Sequence, residues 1–295
     1  MTAMERSGTD QPHLVILGLG YVGTVVARTG VARGWRVTGT HRRLREGEED
    51  GVRRVCFTQA GDALRTATHV LISTPPENGR DPAFALFADI IADASRLRWI
   101  GYYSTTGVYG DRAGGAVDET TPPRPTQARG RMRLDAETGW QALAARRRVA
   151  CDLMRLGGIY GPGRSVLDAL RAGTARLIDA PAHLFSRIHR DDAAGATCAA
   201  IDTAAGCRVL NLVDSRPSSQ SEVTRFGAEV LGIAPPQAVS LADSLTGMSE
   251  TGQSFWKERR LVRSDMTERS LGRRWLYPSY REGLAAILAA EDGVG

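Results

Sequence analysis

Apolar and polar residues follow two rhythms along the first half of the chain. Short unbroken apolar runs, such as Leu14-Val15-Ile16-Leu17 and Val70-Leu71-Ile72, have the length of strands buried on both faces. Between them lie longer stretches with apolar residues at helical spacing, as in Ala83 to Ser95. The pattern predicts strands at Leu14–Leu17, Trp35–Thr40, Gly51–Phe57, His69–Ser73, Arg98–Ser104 and Val149–Leu156. It predicts helices at Tyr21–Arg33, Ala83–Ser95 and about Arg129–Arg146. Asp81-Pro82 supplies a cap and an N1 proline to the second of these, and Thr74-Pro75-Pro76 stops the strand before it. Repeated strand–helix–strand units of this length imply a parallel sheet with right-handed crossovers.

The second half is more mixed. Val166 to Ala172 is helical in pattern, and Arg187-Ile188-His189 reads as a short strand end. Asp191 is placed to cap a helix running to Thr203, and Val209 to Val213 returns as a strand. Ser219-x-x-Glu222 and Ser279-x-x-Glu282 are capping boxes opening two late helices. The fold expected is α/β, a Rossmann-type doubly wound parallel sheet with a smaller mixed C-terminal substrate lobe. Residues 13–165, completed by about 185–215, form the expected dinucleotide-binding domain. Residues 166–184 and 216–290 form the substrate-binding lobe, behind a polar tail at 1–12.

Composition narrows the class. The 295 residues suffice for one large core, and no apolar run approaches the ~20 residues that span a bilayer. The first dozen residues lack a signal-peptide apolar region. Cys56, Cys151, Cys198 and Cys207 show no C-x-x-C and no histidine at zinc spacing. They read as reduced core residues of a cytoplasmic protein, and no metal is expected. The net charge of +5 comes almost wholly from arginine, Lys257 being the one lysine. Arg146-Arg147-Arg148 reads as a solvated helix face, and no aromatic-interleaved basic patch points to nucleic acid. Neither a membrane nor a nucleic acid is an expected partner.

The chemistry begins at Gly18-Leu19-Gly20-Tyr21-Val22-Gly23, directly after the first strand. In that context Gly18 permits the tight turn, Gly20 lets the backbone approach a pyrophosphate, and Gly23 lets the helix pack closely on the strand. The free N–H groups and positive dipole of the new helix face the anion. Ser73-Thr74-Pro75 ends the fourth strand where a cofactor passes the sheet's carboxyl edge. The second strand ends in Thr40-His41-Arg42-Arg43, with no acid before Glu46. An acid there would bind the 2′-hydroxyl of NAD, whereas guanidinium groups suit a 2′-phosphate. Arg42 and Arg43 therefore favour NADP, with NAD as the alternative.

Later motifs converge on one family. Tyr103-Ser104-Thr105-Thr106-Gly107-Val108-Tyr109-Gly110, Arg155-Leu156-Gly157-Gly158-Ile159-Tyr160-Gly161-Pro162-Gly163, Arg187-Ile188-His189-Arg190-Asp191-Asp192 and Asn211-Leu212-Val213-Asp214-Ser215-Arg216-Pro217 fall in the order of the extended short-chain dehydrogenase/reductase family. The chain resembles that family over about residues 13 to 290. The resemblance implies an NAD(P)-dependent oxidoreductase or epimerase working on a polar, anionic small molecule, the alternatives being a catalytically lapsed NAD(P)-binding regulator or a dehydratase/isomerase that uses the nucleotide structurally. It also implies dimerisation, by analogy, through helices Ala83–Ser95 and Arg129–Arg146.

Two departures stand out. One residue, Leu19, separates the first two glycines where the extended family usually has two. None of the seven tyrosines has a lysine four residues on, so the family's Tyr-x-x-x-Lys pair is absent. Arg129 stands where the tyrosine is expected and Arg133 where the lysine is expected, a pattern similar to an atypical branch. A guanidinium stays protonated and cannot serve as the acid or base. The resemblance assigns Arg133 to the cofactor ribose and the positive field of the site, and Ser104 to the cofactor side of the same strand end. Thr105 matches the family's serine or threonine and is expected to hold a substrate oxygen. His189 has a ring suited to proton transfer, with an ordinary pKa of about 6.5. Tyr160, Arg129 and Arg187 complete the substrate side, the arginines offering themselves to a carboxylate or phosphate. Structural roles compete at each: a strand-end structural role for Thr105, core packing for Tyr160, support for His189.

Overall fold

In the computed structural model, residues 11–42 and 47–292 are described. The chain divides into two compact units. Among the described residues, the first comprises 11–42, 47–104, 132–154 and 194–209, and the second 105–131, 155–193 and 210–292.

The elements of the N-terminal third are β1 (His13–Leu17), α1 (Tyr21–Ala32), β2 (Arg36–His41), β3 (Gly47–Glu49), β4 (Val52–Cys56), α2 (Gly61–Arg65), β5 (His69–Ile72) and α3 (Pro82–Asp93). Next come β6 (Trp99–Thr105), β7 (Ala116–Val117), α4 (Ala128–Arg147), β8 (Ala150–Leu156), β9 (Gly158–Tyr160) and α5 (Val166–Arg171). They continue as β10 (Leu177–Asp179), β11 (Leu184–Phe185), β12 (Arg187–His189), α6 (Arg190–Asp202) and β13 (Cys207–Leu212). The C-terminal part holds β14 (Ser218–Ser219), α7 (Gln220–Val230), β15 (Ala238–Ser240), α8 (Leu241–Thr246), α9 (Glu250–Ser254), β16 (Leu261–Val262), α10 (Asp265–Leu271) and α11 (Tyr280–Asp292).

The main sheet has the order β13-β8-β6-β5-β1-β2-β4-β3. β1 pairs in parallel with both β2 and β5, so the chain winds outward first on one side of β1 and then on the other. That reversal is the switch point of a doubly wound sheet, where ligands bind beyond the strands' carboxyl ends. β3 is the antiparallel exception at the edge. The expected doubly wound sheet is present. The hairpin partner β3 and the short α2 carry too few apolar positions to show as periodicity.

The first unit's core gathers Val15, Leu17, Val70, Ile72, Phe87, Ile100, Tyr102 and Trp140. Its buried indoles are satisfied: Trp140 Nε1 donates to Asp81 at 2.8 Å and Trp99 Nε1 to Asp152 at 2.7 Å. Asp81 also accepts from the Ala83 and Phe84 amides, so the predicted cap doubles as the tryptophan's partner. Such pairing removes the cost of burying a lone indole N–H.

The second unit has a core of Tyr160, Leu167, Val223, Tyr280, Leu284 and Ile287. The Ser219/Glu222 box closes reciprocally at the head of α7. Gly110 has φ +69°, and a Cβ there would lie 1.9 Å from the Arg124 carbonyl oxygen. Gly110→Ala is expected to cost at least about 2–3 kcal/mol, since backbone and not a flexible side chain must move. A thermal melt checks this, with a drop of roughly 5–10 °C as the expected reading.

One expectation about the cysteines is corrected. All four are free, but Cys207 is exposed and Cys56 half-buried, leaving Cys151 and Cys198 as the core residues. Cys207 sits at the start of β13, the end strand of the sheet, where apolar sequence does not imply cover on both faces. Among the described residues no helix is long and apolar enough to cross a membrane.

Candidate functional site

In the first unit the glycine turn does what its three glycines predict. Gly18 adopts φ +96°, and a Cβ there would press on Thr74, with Cγ2 at 3.0 Å and the backbone nitrogen at 3.2 Å. Around Gly20 there is no atom within 4 Å of a Cβ, so this face of the backbone is open. Gly23 lies close under the turn, where a Cβ would stand 3.2 Å from the Gly18 carbonyl and 3.3 Å from Ile16. The turn is tied to β2: the Gly18 amide donates to Thr40 Oγ1 at 2.8 Å and the Leu19 amide to the Thr40 carbonyl at 2.8 Å.

Gly20 is the N-cap of the twelve-residue α1, with no side-chain cap and no acidic residue in the first turn. Most helices in soluble proteins place a Ser, Thr, Asp or Asn here. This one keeps its N-terminal dipole uncompensated, with Tyr21 and the buried Val22 opening the first turn. On the facing wall, the Ser73 and Thr74 amides both donate to the Leu17 carbonyl, at 2.9 and 3.1 Å, which leads the chain into Pro75. Thr74 Oγ1 is buried without a hydrogen-bond partner. An open backbone, an uncapped helix and an orphaned hydroxyl at the switch point fit a dinucleotide pyrophosphate.

Other expected cofactor residues are placed differently. Arg42 is exposed and ion-paired with Glu77. Arg43 lies outside the described residues. Ser104 is buried and its hydroxyl donates to the buried Glu137 carboxylate at 2.5 Å, so its side chain is committed inward. Arg133, from α4, donates to the Tyr103 carbonyl and, at 3.3 Å, to Tyr102 Oη, and its guanidinium stacks 5.7 Å from the Tyr102 ring. These contacts hold Arg133 at the carboxyl end of β6. Burial pushes the phenols of Tyr102 and Tyr103 well above their ordinary value, and Tyr103 Oη pairs with Thr197 at 2.7 Å. Neither can act as a base near neutrality.

The second unit carries the other expected residues. Thr105 Oγ1 accepts from the Gly107 amide at 3.1 Å and so caps the short 3₁₀ turn Thr106–Tyr109. The cap uses one acceptor position and leaves the O–H proton free to donate. Arg129 stacks 5.8 Å from the ring of the exposed Phe255. Tyr160 is buried, and its hydroxyl donates to the Ser279 carbonyl at 3.2 Å against α11. That contact commits the phenol to packing. Arg187 is committed similarly, donating to the carbonyls of Phe185 (3.1 Å) and Ser218 (2.8 Å).

His189 is held between aromatic rings, 5.2 Å from Tyr160 and 4.2 Å from Tyr277. Its Nδ1 accepts from the Asp191 amide at 3.2 Å, which assigns the neutral ring's proton to Nε2. Nε2 is buried without a partner, and burial lowers the ring's pKa. Tyr160, Arg187 and His189 thus gather in one buried cluster of this unit, whereas Thr105 and Arg129 sit at the 3₁₀ turn and the Phe255 face.

Asp214 belongs to that cluster and carried no expected role. Its amide donates to the Arg187 carbonyl at 2.6 Å, its Oδ1 accepts from the Arg216 amide at 3.3 Å, and its Oδ2 is buried without a partner. Burial outweighs the attraction of Arg187 and pushes the carboxyl up to about 8. The sequence signal was its place in the Asn211–Pro217 motif. Only burial, which the motif does not encode, makes it unusual.

No family model matches the chain. Protein YeeZ of Escherichia coli strain K12 is 30% identical over 267 residues, covering 83% of this chain and 93% of YeeZ. This chain belongs to the YeeZ family. A solved structure from Silicibacter pomeroyi DSS, a conserved protein of unknown function, matches with TM-score 0.87 at 38% identity, covering 96% of this chain and all of that one. MoeE5, solved with UDP-glucuronic acid and NAD, matches with TM-score 0.76 at 21% identity over 96% of this chain and 100% of its own. That likeness establishes the shared fold. The fold that the order of the motifs implies is the one the chain adopts.

Proposed function

We propose that this YeeZ-family chain is a nicotinamide-dinucleotide-dependent oxidoreductase or epimerase, NADP preferred, acting on a polar anionic small molecule. The uncapped N-terminus of α1 behind the open backbone of Gly20 carries the reading, because it offers a built anion site at the switch point. The NAD and the UDP-glucuronic acid with which MoeE5 was solved support the same cofactor and substrate class through the shared fold.

When bound, the nicotinamide ring supplies or accepts a hydride. The chain's residues divide the remaining tasks. Gly18, Gly20 and Gly23 shape the pyrophosphate turn, and Thr74 Oγ1 is the hydroxyl left to bond the cofactor. Arg133, fixed to the β6 end, takes the ribose position and contributes a permanent positive charge. Arg42 meets the 2′-phosphate: its exposed pair with Glu77 is worth about 1 kcal/mol or less, so a dianionic phosphate can displace it. Thr105 donates its free proton to a substrate oxygen, and Arg129 with Phe255 receives the anionic part. His189, neutral and boxed by rings, supports this unit's structure and does not shuttle protons.

Calorimetric titration with NADPH and NADH tests the reading. Micromolar NADPH binding, at least about tenfold tighter than NADH, is expected; that ratio corresponds to about 1.4 kcal/mol. Arg133→Ala should weaken the binding about tenfold without changing the preference between the two, because its partner is the ribose common to both. Absence of binding by either nucleotide would overturn the proposal, and tighter NADH binding would reassign Arg42.

A further inference from the structure

Cys151 lies near the start of β8 and Cys207 opens β13, neighbouring strands of the main sheet. The Cys151 amide donates to the Gly206 carbonyl at 2.8 Å, and six residues on the Gly157 amide donates to the Leu212 carbonyl at 3.1 Å. The constant offset marks a parallel pairing. In a parallel ladder an amide that bonds the carbonyl of one residue faces the residue after it, so Cys151 stands directly opposite Cys207. Opposed side chains leave on the same face, and the strand spacing of about 4.8 Å lies inside the ~4.4–6.8 Å Cα separation that a disulfide spans. Both cysteines are free thiols in hydrogen-bond contact with each other.

The two differ in access. Cys151 is fully buried and Cys207 is exposed. The Cys151 thiol and the Gln141 side chain both hydrogen-bond Cys207, and they draw its thiol below the ordinary value against its own partial burial and the opposing carboxylates of Asp152 and Glu137. Cys151 is pushed the other way by the same contact and by burial. An accessible thiol whose pKa is drawn down, directly opposite a protected thiol, is the arrangement of an attacking and a resolving cysteine.

We propose that Cys151 and Cys207 form a redox-modifiable dithiol that peroxide closes to a disulfide. The Cys207 thiolate attacks one peroxide oxygen; the S–O bond forms, the O–O bond breaks, and the departing hydroxide takes up the thiol's proton as water. The Cys151 sulfur then attacks the Cys207 sulfenic acid; the S–S bond forms, the S–O bond breaks, and hydroxide leaves with the Cys151 proton as a second water. Two thiols are oxidised by two electrons and one peroxide is reduced to two waters. The product staples the end strand β13 to β8 and is reversible by dithiol reductants.

The test is hydrogen peroxide treatment of the folded full chain, followed by alkylation in denaturant, mass measurement and peptide mapping. Untreated protein should alkylate at all four cysteines. Treated protein should lose two hydrogens, keep Cys56 and Cys198 alkylatable, yield one cross-linked peptide pair joining Cys151 to Cys207, and return to four thiols with dithiothreitol. Cys207→Ser should abolish the cross-link. Cys151→Ser should leave a sulfenic acid on Cys207 that dimedone captures. A melting curve confirms that each variant is folded. Four alkylatable thiols after peroxide treatment of the folded protein would overturn the proposal, as would a cross-link joining any other pair.

Discussion

Replacing Gly20 by valine is expected to abolish dinucleotide binding while the protein stays folded. The Gly20 backbone is extended, at φ −98° and ψ −159°, which any L residue adopts. No atom lies within 4 Å of the added Cβ, so nothing in the fold resists it. The new side chain occupies the space through which a pyrophosphate would reach the first turn of α1. Valine is a poorer N-cap than glycine, a cost of about 1 kcal/mol and a melting shift of a few degrees. The binding loss should exceed a hundredfold, about 2.7 kcal/mol or more. Gly18→Ala is the contrast: its φ of +96° and the Thr74 contact make that change costly to stability itself. Unaltered nucleotide affinity in a folded Gly20→Val protein would show that the turn is structural.

The second large effect belongs to Asp214. Its carboxyl titrates at about 8 in the folded protein against 3.8 as the ordinary value, chiefly through burial. Between those values the folded state binds a proton that the unfolded state has released. Stability therefore falls as pH rises from about 4 to 8, and levels off above the folded value. A tenfold change in a protonation equilibrium is worth about 1.4 kcal/mol, so the cumulative loss across that range is on the order of several kcal/mol. Asp214→Asn keeps the shape and the acceptor for the Arg216 amide but removes the titration. It should match the parent protein at about pH 4 and exceed it by a growing margin in urea resistance as pH rises to 8. Glu222 and Glu282, whose carboxyls are held below their ordinary range by Ser219 and Ser279, change stability in the opposite sense, so the informative comparison is parent against variant. Parallel stability curves for the two proteins from pH 5 to 8 would show that Asp214 does not drive the pH dependence.

Legibility in the sequence followed the range of the interaction. β1, α1 and the glycine turn were readable because their causes are local: four apolar residues in a row, then glycines at the positions where a side chain would meet Thr74 or Gly18. The Asp81 cap of α3 and the Ser219/Glu222 box are similarly local and stand as expected. The alternation of strands and helices also carried the parallel, doubly wound character of the sheet, while the strand order came from the structure.

What the side chains at the candidate site do was decided by tertiary structure. Ser104 and Glu137 are far apart in sequence, and so are Tyr160 and Ser279 or Arg187 and Ser218. A buried polar group must find a partner, and the nearest one in space took hydroxyls and guanidinium nitrogens that sequence alone left available to a ligand. The same holds for Cys151 and Cys207, whose opposition depends on the register of β8 against β13. Asp214 was visible as a letter in a motif, but its raised pKa comes from low-dielectric surroundings assembled by distant residues. The sequence by itself determined the doubly wound sheet and its glycine turn, because backbone geometry and hydrophobic period act over a few residues. Tertiary structure alone decided which polar groups remain free, because burial and hydrogen-bond satisfaction are settled only when distant segments meet.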